Sequence, residues 1–165
     1  MVNCGTEGEE GEEDDEEDDE EEQVGTWPLR DITLSACESR TADCLQYIVD
    51  QGTPLHPRCG QTAARCSCVE TLRFLHARGV TWDAKDCANV AAYDKLENLR
   101  FLHEIGTPWD ARTCSSAAYS LACLQYAHEH GCPWDDNTTR NAQYCAACYE
   151  YAVKNGCPVS KKLKK

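Results

Sequence analysis

The chain has 165 residues and carries 29 Asp and Glu against 16 Lys and Arg, a formal net charge of −13 at pH 7. A phosphate-binding face concentrates Lys and Arg, so this composition argues against nucleic-acid binding. No stretch is apolar over the length that spans a bilayer, and the N-terminus lacks the basic and apolar regions of a signal peptide. We therefore expect a soluble cytoplasmic or nuclear protein that does not contact membranes.

An acidic segment opens the chain. Residues 7–22 contain 14 Asp or Glu and no Lys or Arg, and such a block repels itself and buries no apolar surface. We predict that residues 1–24 form a disordered acidic tail, which acts as a spacer or solubiliser or, alternatively, as a docking arm for a basic protein. The rest of the chain carries 15 acidic against 16 basic residues, so its body is nearly neutral.

From residue 25 onward the chain repeats itself. Six glycines recur at a nearly constant interval, and the last five each end a run with helical periodicity. They are Gly25, Gly52, Gly79, Gly106, Gly131 and Gly156. A fixed period of this kind, here about 25 to 27 residues, is typical of a solenoid built from small stacked units. Residues 25–158 are therefore predicted to form one repeat domain, followed by a basic tail at residues 159–165.

The units follow one another as predicted helical hairpins. Residues 25–52 form a first unit, in which Trp27-Pro28 inverts the usual Pro-Trp order and Asp31 is the first plausible N-cap. Four more hairpins are predicted on residues 57–78, 83–105, 110–130 and 135–155. This gives about five hairpins and ten helices. The slight shortening of the later units is expected to fall in the turn between the two helices.

Each unit carries its own start and stop signals. In Pro108-Trp109-Asp110 the aspartate is a good N-cap, and the tryptophan can pack on Cys114 as a hydrophobic staple. A glycine then ends each hairpin in the left-handed conformation. Capping boxes at Ser67–Glu70 and Asp94–Glu97 are expected to begin second helices. We assign structural roles to Trp82, Trp109, Trp134, Gly52, Gly79, Gly106, Gly131 and Gly156.

One motif, Gly-x-Pro-Trp-Asp-x-x-Thr-Cys-x-x-Ala-Ala, stands complete at Gly106–Ala118. It resembles the divergent ankyrin-type repeat whose units end in Gly-Cys-Pro-Trp-Asp, as Gly131–Asp135 does. The resemblance covers residues 25–158 and implies an all-α, ankyrin-like solenoid of about five stacked helical hairpins. Ordinary ankyrin units have about 33 residues, so the shorter period here predicts that the β-hairpin finger is reduced to a plain loop.

Two alternatives affect the alignment of the units. Thr53-Pro54-Leu55-His56 spells the ankyrin start-of-helix signature but directly follows Gly52, and we therefore align it by the glycine, with the Pro-Trp-Asp links. A tetratricopeptide array is the other helical solenoid considered, but its period of about 34 residues and its Trp, Gly, Tyr and Pro positions are absent.

The thirteen cysteines are predicted to be reduced, because their number is odd and no secretion signal is visible. Cys59, Cys87 and Cys114 share a repeat position that Thr139 fills in the next unit, and threonine cannot replace a zinc thiolate. The pairs Cys66-x-Cys68 and Cys145-x-x-Cys148 lack the second half of a structural zinc motif. We predict no metal site and no cofactor.

The histidines His76, His103 and His128 also form a column. Equivalent stacked helices lie about 8–10 Å apart, which is too far for two of these side chains to share one zinc ion, so they are predicted to pack. Cysteine and histidine could supply a nucleophile and a base, but each candidate occupies a repeat position. No phosphate-binding glycine loop or hydrolase motif is present, and we predict no catalytic residue.

The favoured function is a non-catalytic protein-interaction module, which the ankyrin-type resemblance implies. Its partner is predicted to be a protein, not a nucleic acid or a membrane, and the chain to be a monomer. Core positions are committed to packing, so polar residues in the links and at first-helix starts remain to bind. They are His56, Arg58, Lys85, Asp86, Arg112, Asp136, Asn137 and Arg140.

Two other functions stay open. The chain could be a structural segment of a longer repeat protein, because polar residues after Gly156 and an aromatic last helix point in opposite directions. An enzyme using Cys and His is the third possibility. The basic run Lys161–Lys165 is a solubilising tail or, alternatively, a nuclear-import or anion-binding patch.

Overall fold

The computed structural model describes residues 29–39, 41–66 and 68–159. Every regular element within these ranges is a helix, which confirms the all-α prediction, and the helices number ten, as expected. Their bounds are α1 Leu29–Ala36, α2 Asp43–Asp50, α3 Cys59–Cys66, α4 Val69–Ala77, α5 Ala84–Ala92, α6 Leu96–Glu104, α7 Ala111–Ala117, α8 Leu121–Glu129, α9 Asp136–Ala142 and α10 Ala146–Lys154.

The helices pair as hairpins that stack in chain order. The first helices α1, α3, α5, α7 and α9 each contact the next one, and so do the second helices α4, α6, α8 and α10. The stack therefore has two layers, one of first helices and one of second helices. None of the helices in the described ranges is long and apolar enough to cross a membrane.

One hydrophobic core runs between the two layers. Second helices contribute a column of fully buried leucines, and first helices contribute small residues such as Ala63, Cys87, Cys114 and Ala117. Small side chains let the first helices approach one another closely, whereas the leucines fill the space behind them. The leucine column consists of Leu45, Leu72, Leu99 and Leu124.

Second helices end at glycines in the left-handed conformation. Gly79 has φ +84°, its N–H donates to the His76 carbonyl at 2.9 Å, and the Val80 N–H donates to the Leu75 carbonyl at 3.1 Å. This is the Schellman pattern, and it recurs at Gly52, Gly106, Gly131 and Gly156. A Cβ atom at any of the five would meet nothing within 4 Å, so the backbone angle and not space requires glycine.

First helices from α5 onward begin at the predicted aspartates. Asp83, Asp110 and Asp135 are N-caps, and each side chain accepts a hydrogen bond from the backbone N–H two residues later. Asp83 also forms a reciprocal capping box with Asp86. These bonds satisfy N–H groups that would otherwise lack a partner at the helix start.

Replacing Asp110 with alanine is expected to lower the free energy of unfolding by about 1 kcal/mol at pH 7. The Arg112 guanidinium, followed by the backbone N–H of Arg112, holds the pKa of Asp110 below its usual value. A carboxylate with a lowered pKa stabilises the fold above the pKa it has when unfolded, and this contribution disappears as pH falls through the folded pKa. Urea titrations at pH 7 and pH 3 should therefore show a difference between the two proteins that shrinks in acid.

Asp110→Asn is the matched control for this prediction, because asparagine also caps helices but carries no charge. It should retain most of the stability at pH 7. An alanine variant as stable as the parent at pH 7 would contradict the capping role.

Two predicted caps are wrong. Asp94 does not cap α6: the N-cap is Lys95, without a side-chain cap bond, and Asp94 precedes it with φ 54°. The Asp94 carboxylate instead accepts a hydrogen bond from the Ser120 hydroxyl of the next hairpin. Asp31 lies inside α1, which begins at Leu29. For Asp94, a tertiary contact overrides the local capping propensity. For Asp31, the helix begins two residues before the predicted cap.

The shortening of the later units falls in the first helix and not in the turn. Helix α5 has nine residues, whereas α7 and α9 have seven. The connections 93–95, 118–120 and 143–145 all have three residues. A helix can lose its last half-turn without changing direction, whereas a shorter connection would alter how the two helices of a hairpin join.

Some sequence predictions fall outside the described residues. They concern the acidic tail at residues 1–24, the Trp27-Pro28 pair, Ser67 in the predicted capping box, and the basic run Lys161–Lys165.

Candidate partner-binding surface

The starts of the first helices line one edge of the stack, which we call the cap edge. We define the cap edge by four residues, each of which lies two positions after the side chain that caps the helix start. They are Arg58, Lys85, Arg112 and Asn137. Each backbone N–H donates to a side-chain acceptor two residues earlier: His56 Nδ1 at 3.0 Å, Asp83 Oδ1 at 2.7 Å, Asp110 Oδ1 at 2.9 Å and Asp135 Oδ1 at 3.0 Å. Because α3, α5, α7 and α9 stack in sequence, the four exposed side chains recur on the same edge.

His56 occupies the place that an aspartate fills in the later units. Its ring accepts from the Arg58 N–H, and its own backbone N–H donates to Thr33 Oγ1 at 3.0 Å in the preceding hairpin. The tetrapeptide Thr53–His56 thus lies in the link, as its alignment by Gly52 predicted. The half-buried His56 holds the link as well as bordering the cap edge.

The cap edge is internally paired at α7 and α9. The Arg112 guanidinium binds the Asp110 carboxylate through Nε at 2.9 Å and through Nη2 at 2.6 Å. Arg140 lies 3.5 Å from the carboxylate of Asp136 and donates to Asn137 Oδ1 at 3.0 Å. These side chains are mostly exposed, so the pairs add little stability and can exchange for a partner's groups.

Asp86 does not belong to the exposed surface. It is 6 % exposed, and its carboxylate accepts from the Asp83 backbone N–H at 3.0 Å. Burial raises the pKa of Asp86, against the lowering effect of that hydrogen bond. Asp86 thus completes the start of α5, and we exclude it from the binding surface.

Arg58, just before α3, has no counter-ion within the described residues, whereas Lys85 at α5 has the carboxylates of Asp83 and Asp86 at its own helix start. The side chains of Arg58 and Lys85 are exposed and make no ion pair or hydrogen bond within the described part of the chain. A small cavity of about 90 Å³ adjoins Arg58 and contains no carboxylate in its lining of Arg58, Gln61, Thr62, Arg65 and Asn89. The Arg65 guanidinium lies 5.6 Å from the centre of the Tyr93 ring. This part of the first-helix layer is therefore suited to a carboxylate or another anion.

The second-helix layer holds a column of aromatic contacts. The His103 ring stacks on Trp109 with centroids 4.2 Å apart, and its Nδ1 lies 3.0 Å from the Tyr126 hydroxyl. His128 repeats this arrangement with Trp134 at 3.8 Å and with the Tyr151 hydroxyl at 3.0 Å. Burial lowers the pKa of His103. The histidine and the tyrosine are separated by 23 residues in both units. This constant spacing could have predicted the contact from the sequence, but the repeat pattern was not read in that way.

The link cysteines join consecutive hairpins through hydrogen bonds. The Cys132 thiol donates to the Asp110 carbonyl and the Cys157 thiol to the Asp135 carbonyl, both at 3.3 Å. Cys114 Sγ donates to the Cys132 carbonyl at 3.6 Å, and Thr139 Oγ1 donates at 2.7 Å to the carbonyl of Pro158. Thiol and hydroxyl are thus interchangeable donors at this repeat position, and sequence reasoning did not find the thiols in the links.

The cysteines within the described ranges are free thiols. Among those same residues, no group of three or more Cys, His, Asp or Glu is arranged to hold a metal ion. We expect thiol titration of the purified chain in denaturant without reductant to find nearly all of the thirteen cysteines. Elemental analysis should find no stoichiometric zinc, and one zinc ion per chain retained through dialysis would contradict the prediction.

An open groove of about 450 Å³ lies between the starts of α4 and α6. Its lining includes Cys68, Glu70, Asp94 and Lys95 but no histidine. A cysteine–histidine pair, the chemistry that the sequence offered for catalysis, is therefore not assembled in this groove.

Comparison of the chain with protein-family models, with curated proteins and with solved structures found no match. The ankyrin-type character of Gly106–Ala118 accordingly stays a resemblance.

Proposed function

We propose that the chain is a non-catalytic protein-interaction module that binds an extended segment of a protein partner along the cap edge. The observation that carries the proposal is the recurrence of one exposed side chain at the start of each of four stacked helices. The backbone at each of these positions is fixed by a cap, so the four side chains are presented at regular intervals.

The charge at the α3 end of the cap edge favours an acidic partner segment. Arg58 and Lys85 make no ion pair within the described residues, and Arg112 and Arg140 are held only by exposed ion pairs. Stacked helices lie about 8–10 Å apart, and an extended peptide rises about 3.3 Å per residue. A partner with Asp or Glu at about every third residue would therefore place one carboxylate opposite each helix start.

An ankyrin-like architecture fits this function. Solenoids expose an extended face in which each unit contributes a few side chains, while stacking with neighbouring units occupies the rest. The packing of His103 and His128 against tryptophan supports a non-enzymatic role, since stacking on tryptophan and contact with a tyrosine hydroxyl hold both partly buried rings in place.

The test is selection of peptides from a random displayed library on the immobilised full chain, followed by titration of a labelled peptide from the enriched pool. We expect enrichment of Asp and Glu, and binding that weakens as salt screens the charges. In the double variant Arg58→Glu and Lys85→Glu, the dissociation constant should rise at least roughly tenfold, because the lost attractions become repulsions.

A second variant, with alanine at Arg112, Asp136 and Arg140, should also weaken binding. The melting temperatures of both variants should stay within about 2 °C of the parent, since exposed substitutions rarely change stability much. The matched control reverses the exposed Arg73 and Arg100 of the second-helix layer, which changes the net charge equally. A loss of binding only in that control would place the partner on the opposite layer and refute the cap edge as its site.

A further inference from the structure

At the starts of second helices, the N-cap residue contacts the residue three positions later. At α4 the sulfur of the N-cap Cys68 lies 3.5 Å from the Thr71 hydroxyl. At α8 the hydroxyl of the N-cap Ser120 accepts from the Cys123 N–H at 3.4 Å. The same register at α10 places Cys145 at the N-cap and Cys148 three residues later. Within the described hairpins, only α10 has cysteine at both positions.

The start of α10 gives the two thiols different surroundings. Cys145 is half-buried, whereas Cys148 is fully buried. The neighbouring Cys148 thiol, followed by the backbone N–H groups of Cys148 and Ala147, lowers the pKa of Cys145. Burial raises the pKa of Cys148 to about 12. A partly exposed thiol with a lowered pKa thus lies beside a thiol that is buried away from solvent.

We propose that Cys145 and Cys148 form a redox-active dithiol that exchanges reversibly with a low-molecular-weight disulfide. The site goes beyond the proposed binding function, and it acts once per chain and not as a turnover catalyst. Side chains three residues apart in a helical turn lie about 5–6 Å apart at Cβ. A small backbone adjustment at the N-cap brings the two Cβ atoms to the separation that a disulfide requires, and rotation of the side chains then brings the sulfurs together.

The exchange proceeds in two balanced steps. The Cys145 thiolate attacks one sulfur of the external disulfide RS–SR, forms a mixed disulfide and releases RS⁻, which takes a proton from water. Cys148 then loses its proton to solvent, and its sulfur attacks the Cys145 sulfur. The second RS⁻ leaves and is protonated. Two protein thiols are oxidised to one protein disulfide, and one RS–SR is reduced to two RSH.

Trypsin provides an internal comparison for the test. Cleavage after Arg140 and Lys154 yields a peptide, residues 141–154, that contains Cys145 and Cys148 and no other cysteine. Cleavage after Arg65 and Arg73 yields the peptide 66–73, which contains the pair Cys66 and Cys68. In this second pair Cys68 is the N-cap of α4, but Cys66 lies two residues before it and not three residues after it. Both peptides come from the same chain in the same tube.

The reduced full-length chain is equilibrated with mixtures of oxidised and reduced glutathione, quenched in acid, alkylated, digested and analysed by mass spectrometry. We expect peptide 141–154 to lose two hydrogen atoms at an oxidised-to-reduced ratio roughly tenfold lower than peptide 66–73. In urea this preference should become clearly smaller, because the fold adds to the difference that the two spacings create by themselves. Equal oxidation of the two peptides in the folded chain, or a preference as large in urea as in the folded chain, would overturn the proposal.

Single variants test the order of the two steps. In Cys148→Ser the reaction should stop at glutathione bound to Cys145, and this adduct should form faster than the adduct at the exposed Cys44. In Cys145→Ser, peptide 141–154 should gain no rapid adduct. Circular dichroism checks that both variants remain helical. If either variant unfolds, the comparison of the two peptides in the parent chain still decides the proposal, and an adduct that forms on Cys148 first would refute the assigned order.

Discussion

Substituting alanine for Trp82 is expected to lower the free energy of unfolding by about 3–5 kcal/mol, the usual cost of removing a buried tryptophan. Trp82 is 7 % exposed and lies at an angle to Phe101, with ring centroids 6.3 Å apart. Its Nε1 donates to the Gly60 carbonyl at 3.0 Å, so the indole joins α3 of one hairpin to α6 of the next. The alanine variant would leave a cavity at this junction and a buried carbonyl without its donor.

Chemical denaturation with Trp82→Ala, Trp82→Phe and Trp109→Ala separates these contributions. Phenylalanine keeps most of the packing but not the hydrogen bond, and should cost less than alanine. Trp109 is only partly buried and its face stacks on His103, so its removal should cost roughly 2 kcal/mol, in proportion to the smaller apolar area it buries. Equal losses for Trp82→Ala and Trp109→Ala would show that the burial of Trp82 has no special importance.

Replacing Leu99 with alanine is expected to cost about 2–5 kcal/mol. Leu99 lies near the middle of the leucine column and is completely buried. Its neighbours in that column, Leu72 and Leu124, are buried as well. They are packed in place on both sides, so the cavity left by the missing side chain should not close. The measurement is the midpoint of urea unfolding, followed by the helical circular-dichroism signal.

Tyr47→Ala is the control for the Leu99 variant, because Tyr47 lies on α2 but is 68 % exposed. Its loss should change stability by less than about 0.5 kcal/mol. If Leu99→Ala were no more destabilising than Tyr47→Ala, the leucine column would not be the core of the array.

The sequence by itself determined the number and order of the helices, the ends of the second helices and the starts of α5, α7 and α9. Gly79, Gly106, Gly131 and Gly156 could be placed because a left-handed residue after a helix is almost always glycine, and Asp83, Asp110 and Asp135 because an aspartate before a helix satisfies free N–H groups. Both signals are local: a few neighbouring residues and their backbone angles decide them. Because the glycine and the aspartate recur in successive units, their assignment in one unit supported the assignment in the next.

The candidate site could be predicted only in part. The exposed positions Arg58, Lys85, Arg112 and Asn137 follow from their places at helix starts, where an N-cap fixes the direction of the chain. In the structure, Arg112 pairs with Asp110, whereas Arg58 has no counter-ion in the described residues. The sequence does not predict this difference, because an ion pair between residues two positions apart forms only if the packed link allows the required rotamers.

Only the tertiary structure decided which polar groups serve the interior. Asp86 and Lys85 are neighbours at the start of α5, yet Asp86 is buried and accepts a hydrogen bond from the Asp83 N–H, whereas Lys85 is exposed to solvent. Asp94 looks like an N-cap but accepts a hydrogen bond from the next hairpin, and Cys132 donates to a carbonyl of the preceding link. The last two contacts join groups that are far apart in the chain. Stacking brings such groups together, and a polar atom binds the partner that the neighbouring hairpin supplies.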